Sequence, residues 1–246
     1  MKKTTKALLL ALCAVLLVAA SVMGTMAYLT ASDSVKNTFT VGNVRITLDE
    51  AQVNENGTPV EGAARVKENS YKLIPGVTYT KDPTVTVLNG SVESYVRMKV
   101  TFNNAQQIIA MCTDPEYADD GPTGVENAYP LIRMVEFVKA NAAKWDGIIP
   151  DNMFETEDML KDAKYFTYDA AADTLTYTFY YNEKVAAPSG DVKLPVLFDK
   201  VTLPQWVTGE QLEGLNNFQI SVVAEAIQAE GFTDADAAWK AFSKQA

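Results

Sequence analysis

The side chains best suited to chemistry in this sequence are carboxylates, and they lack the partners that most hydrolytic or transfer chemistry needs. No histidine occurs among the 246 residues. That removes Ser-His-Asp and Cys-His relays and histidine-based zinc sites such as H-E-x-x-H. A carboxylate acid/base pair stays chemically open, yet scattered Asp and Glu on an acidic chain ordinarily form a solvated face, so no catalytic residue is assigned. The densest acidic run is Asp114-Pro115-Glu116-Tyr117-Ala118-Asp119-Asp120-Gly121. Its oxygens suit a hard cation such as calcium. It lacks the alternating D-x-D-x-D-G spacing that wraps one ion, however, so it reads as a loop, with no metal or cofactor expected. Met111, Thr113 and Asp114 flank Cys112 and bring neither base nor cation to it, so that residue reads as an inert, partly buried thiol.

The N-terminus carries a different kind of signal. Lys2, Lys3 and Lys6 precede an uncharged apolar run over residues 7–23, and Thr25-Met26-Ala27 offers small residues at the −3 and −1 positions of a signal peptidase. Residues 1–27 are therefore expected to be a signal peptide, with the cut between Ala27 and Tyr28. The apolar run is short for a membrane span. Contact with the membrane is expected only through the leader before cleavage. Cys13 lies within it, after Leu12, which is too large for lipid attachment at that place. Cys112 is then the one mature cysteine, which leaves no intramolecular disulfide. The leader removes three of 21 basic residues and none of 31 acidic ones, leaving 18 against 31, a formal charge of −13. Such a surface repels nucleic acid and anionic headgroups and favours solubility, cations or basic partners.

Positioning falls mostly to β-strands. Val77, Tyr79, Val85 and Val87 alternate with threonines, and Pro83 on the apolar face predicts an edge strand or a bulge near Lys81-Asp82-Pro83. Pro75-Gly76 before it is turn chemistry. Val96, Met98, Val100 and Phe102 predict a second strand, Leu175, Tyr177, Phe179 and Tyr181 a third, and Phe218, Ile220, Val222 and Ala224 a fourth. Residues 44–48 and 192–203 are further strands, and 163–168 pairs with the Leu175 strand through a turn at 170–173. Leu131, Val135, Val138, Ala142 and Trp145 recur at helical spacing. Short helices are also expected from Thr156 to Ala163, from Thr208 through a capping box, and over 233–244. The fold class is mainly β: a jelly-roll-like two-sheet antiparallel sandwich with inserted short helices. Residues 28–246 form one domain with a helical insertion near 103–165.

Phe39 and Val41 are apolar at odd positions, whereas Val44, Ile46 and Leu48 are apolar at even ones. The phase change across Gly42-Asn43 means either a β-bulge in one strand or a separate strand over residues 28–41 that can pair in trans. In the second case Val35, Phe39 and Val41 form the apolar set of a donor strand.

The run Gly24-Thr25-Met26-Ala27-Tyr28-Leu29-Thr30, followed by Asn37-Thr38-Phe39-Thr40-Val41-Gly42-Asn43-Val44, resembles the N-terminus of the TasA/camelysin family. Leaders of that family are handled by the specialised signal peptidase SipW. Ile74-Pro75-Gly76, Lys81-Asp82-Pro83-Thr84-Val85-Thr86-Val87, Tyr95-Val96-Arg97 and the run 224–232 fit exported Gram-positive proteins with this leader. The resemblance implies a secreted jelly-roll protein of the cell surface or biofilm matrix. Its partners would be further copies of itself, other matrix or surface proteins, and the signal peptidase during export. In some relatives the segment freed by cleavage completes the sheet of the next subunit. A monomeric adhesin or binding module is the alternative. The metalloprotease label of the camelysin branch finds no histidine here to support it. Residues 103–165 resemble nothing in that family.

Overall fold

The computed structural model describes residues 30–33, 44–113, 129–149, 162–215 and 217–244. Its strands are β1 (Thr30–Asp33), β2 (Ile46–Asp49), β3 (Thr78–Thr80), β4 (Thr84–Val87), β5 (Ser91–Asn103), β6 (Val135–Phe137), β7 (Trp145–Asp146), β8 (Phe166–Asp169), β9 (Thr174–Tyr181), β10 (Val185–Ala187), β11 (Val192–Lys193), β12 (Phe198–Thr202) and β13 (Ile220–Gln228). The helices are α1 (Ala105–Cys112), α2 (Tyr129–Met134), α3 (Lys139–Ala142), α4 (Gly209–Glu213) and α5 (Ala235–Phe242). All strand pairing is antiparallel among the described residues.

A large sheet runs β1-β13-β5-β9-β7, with β10 beside β5 and β8 beside β9. It is built on strict alternation. Val96, Met98, Val100 and Phe102 of β5 and Leu175, Tyr177 and Phe179 of β9 point into one core and are almost fully buried. The expected β8–β9 hairpin is present, with Phe166 opposite Tyr177 and Asp169 opposite Thr174. The core's other side is shared by two three-stranded sheets, β11-β4-β2 and β3-β12-β6, where one second sheet was expected.

That division has a local cause. The run 77–87 is neither one edge strand nor a bulged one: it breaks at Lys81-Asp82-Pro83. β3 pairs with β12, while β4 crosses to the other sheet and pairs with both β2 and β11. Proline contributes no N–H to a ladder, so pairing ends there. The run 192–203 breaks likewise at Leu194-Pro195-Val196-Leu197, giving β11 and β12 to different sheets.

The amphipathic stripe from Leu131 to Trp145 is not one helix. α2 ends at Met134, Val135–Phe137 adds to β12 as β6, and Trp145-Asp146 adds to β9 as β7. Weak intrinsic helix propensity at Val135 and Val138 yields to strand partners supplied by the fold. The helix expected between Thr156 and Ala163 falls almost wholly outside the described residues. α4 forms as expected, with Thr208 Oγ1 accepting from Gln211 N–H and the Gln211 side chain accepting from Thr208 N–H at 2.9 Å. α5 is capped by Asp234, which accepts from Ala237 N–H at 2.8 Å. Among the described residues no helix is long and apolar enough to cross a membrane.

Candidate functional site

Along β13 the apolar inner face changes character. Ala224 and Ala226 are fully buried, whereas Phe218, Ile220 and Val222 are only half-buried. The difference follows from what pairs with the strand's second edge. β1 covers residues 224–227, from Asp33 opposite Ala224 to Thr30 opposite Ile227, and Asp33 is the last described residue of that segment. Asn103 N–H donates to Gln219 O and Ala229 N–H to Glu93 O, so the odd-numbered residues of β13 hydrogen-bond to β5. Ile220 and Val222 therefore direct their N–H and C=O groups away from β5. Among the described residues no strand meets them on that side. Beside this edge lies a groove of about 770 Å³, lined on its far side by Leu48, Tyr71 and Tyr79.

The far wall comes from β2, β3 and the long polar connection between them, and isolated polar residues hold that connection in place. Arg65 Nε contacts Asp49 Oδ1, Nη1 donates to Asp82 Oδ2 at 2.8 Å, and Nη2 donates to Asp49 O, Asp82 O and Thr84 Oγ1. Burial lowers the affinity of the guanidinium for its proton, but the bonds to Asp82 and Asp49 outweigh it and raise its pKa above the ordinary value. Tyr79 Oη donates to Lys72 O at 2.6 Å and accepts from Ile74 N–H at 2.7 Å. Tyr71 meets the Tyr79 ring edge-on at 5.6 Å, and burial, followed by the nearby Glu50, pushes its phenol pKa up. Ile74-Pro75-Gly76-Val77 then turns the chain into β3, with Val77 N–H donating to Ile74 O and Gly76 at φ +76°.

The residues expected to matter at the N-terminus, Ala27, Tyr28, Val35, Phe39 and Val41, lie outside the described residues. What is described there separates β1 from β2. The two lie in different sheets and β1 pairs within its own chain, while the phase change across Gly42-Asn43 lies outside the described residues. The polar network behind the groove gave no sign in the sequence, because its members are isolated residues in a stretch without periodicity.

Elsewhere, a smaller cavity of about 430 Å³ on the outer face of the large sheet is lined by Arg97, Lys99, Lys164 and a row of threonines. Its cations are already matched: Arg97 and Lys99 by Glu225, and Lys164 by Asp236 at 3.3 Å. No group of three or more potential metal ligands occurs among the described residues. Cys112 is fully buried in the core, and burial raises its thiol pKa from the ordinary 9.0 to about 12, against a lowering contribution from Arg133. The unfolded chain gives up this proton first, so the thiol's contribution to stability is complete below its ordinary pKa and falls as pH climbs from 9.0 toward about 12. We expect no alkylation of native protein near neutral pH and rapid alkylation in denaturant, read by mass spectrometry. Rapid labelling of the native state is incompatible with this burial.

Compared with known families, curated proteins and solved structures, the chain matches none.

Proposed function

We propose that this chain is an exported, non-enzymatic structural protein of the bacterial surface or biofilm matrix. It has a jelly-roll-like sandwich and joins further copies by exchanging its N-terminal strand. The observation that carries the reading is the β13 edge, paired with β1 at residues 224–227 and met by no strand among the described residues at Ile220 and Val222, whose side chains are half-buried beside the groove. A strand continuing the β1 register sets Val35 opposite Val222 and Phe39 opposite Phe218, with Val41 two residues further along. Burying each contributes about 1.5–3 kcal/mol, in addition to ladder hydrogen bonds at Ile220 and Val222. Donated from a neighbouring copy, the same segment closes the neighbour's groove. Cleavage between Ala27 and Tyr28 frees its leading end. The acidic surface keeps copies apart except where an edge pairs.

A monomeric surface or adhesive module is the second reading, favoured by the pairing of β1 within its own chain.

Two purified forms separate the readings, one beginning at Tyr28 and one at Val44, compared by size-exclusion chromatography and electron microscopy. Filaments or large oligomers from the first and monomers from the second are the expected result. Monomers from both across pH, salt and concentration exclude strand exchange and leave the monomeric module.

A further inference from the structure

In the wall of the groove, two residues far apart in sequence, Asn69 and Lys81, converge on the carboxylate of Glu50. Glu50 Oε2 accepts from Lys81 Nζ at 2.8 Å, and Glu50 Oε1 accepts from Asn69 Nδ2 at 2.9 Å. The Asn69 amide is fixed on both sides. Its Nδ2 also donates to Ala51 O at 2.8 Å, and its Oδ1 accepts from Val53 N–H at 2.9 Å. The Lys81 and Glu50 side chains are only 12% and 7% exposed, unlike the surface pair Lys144–Glu183 at 46% and 57%. Backbone bonds anchor the residues that carry the amine and the carboxylate: Glu50 exchanges both backbone hydrogen bonds with Val66, and Lys81 N–H donates to Asp199 O.

An amine and a carboxamide bridged by a buried carboxylate are the components of a transamidation. We propose that Lys81 Nζ and Asn69 Cγ form an intramolecular isopeptide bond, with Glu50 as the catalytic residue. Glu50 takes a proton from the Lys81 ammonium, leaving a neutral amine. The Nζ lone pair attacks Asn69 Cγ, and the developing oxyanion on Oδ1 is stabilised by the Val53 N–H already directed at it. Glu50 passes a proton to Nδ2 and accepts the second proton of the attacking nitrogen. The Cγ–Nδ2 bond then breaks. Ammonia leaves as ammonium, Glu50 returns to carboxylate, and one secondary amide replaces the primary amide and the amine. No oxidant or cofactor enters the balance, and the new N–H keeps a donor for Glu50.

The link suits this chain. With Cys112 as the one cysteine after residue 27, an intramolecular disulfide is unavailable to residues 28–246. The β2–β3 connection that walls the groove has little regular structure of its own. A covalent tie from Asn69 to Lys81 fixes it to the β3–β4 corner and removes conformational freedom from the unfolded chain.

The test is peptide mapping of the purified wild-type protein after denaturation and trypsin digestion. The expected product is peptide 68–72 joined to peptide 73–97, one ammonia lighter than the two together, with no cleavage after Lys81. Glu50→Gln and Lys81→Arg should each abolish it; the second keeps a cation beside Glu50, so the fold is retained. Recovery of wild-type peptides ending at unmodified Lys81 and carrying intact Asn69 overturns the proposal. A link that persists in Glu50→Gln overturns the role of Glu50.

Discussion

Replacing Arg97 with Met is expected to cost about 3–5 kcal/mol of stability, because it leaves a buried carboxylate without its main partner. Arg97 Nε donates to Glu225 Oε2 at 2.5 Å, and the two side chains are only 8% and 11% exposed. Lys99 alone remains, at 3.2 Å from the other oxygen. The guanidinium also lies 4.3 Å from the centre of the Trp239 ring and 5.2 Å from that of Phe242, so the same change loosens α5 from the outer face of the large sheet. Urea unfolding followed by tryptophan fluorescence measures the loss, and limited proteolysis should cut first near residues 230–234. The double variant Arg97→Met, Glu225→Leu separates the causes. It should recover most of the stability if the penalty is the stranded charge, and little of it if cation–π contact with α5 dominates.

Gly57→Ala is the second large effect. Gly57 sits at φ +76°, and an added Cβ would lie 2.5 Å from Tyr79 Cδ1 and 2.7 Å from Tyr79 Cα. The positive φ costs about 1–3 kcal/mol, and overpacking against backbone adds about 1–3 kcal/mol more. Gly62 is the control, since it has φ +73° with nothing within 4 Å of the added carbon. Gly62→Ala should show the conformational part alone, and the difference in unfolding midpoints isolates the clash. Thr80 N–H donates to Gly57 O, so the displaced turn also pulls on β3 and the Tyr79 wall of the groove. Equal losses at the two positions would mean that Tyr79 moves aside freely and that the wall is not rigid.

Alternation along a strand was a sound guide where one face alone meets the core. β5, β9 and β13 follow the alternating apolar residues, and the Thr208 capping box and the Asp234 cap follow local donor and acceptor geometry. Reading by period does not reveal a face that acquires a second cover. Tyr95 and Arg97 alternate outward from the core, yet both are buried, Arg97 beneath Trp239 and Phe242 of α5. It also misjudged residues 131–145, where a helical spacing of apolar residues coincides with the inward positions of α2, β6 and β7.

By itself the sequence determined the β-rich class, most strand faces, the helix caps, the acidic charge and the absence of histidine chemistry. These depend on residue type and on neighbours within a few positions. Tertiary structure alone decided which sheet each half of 77–87 joins, that β1 lies on β13, and that Glu50 meets Asn69 and Lys81, 19 and 31 residues away. Such contacts form when the chain closes long loops, and the sequence carries no local period for them. Their energy comes from pairing edges and satisfying buried polar groups that are brought together only in the folded chain.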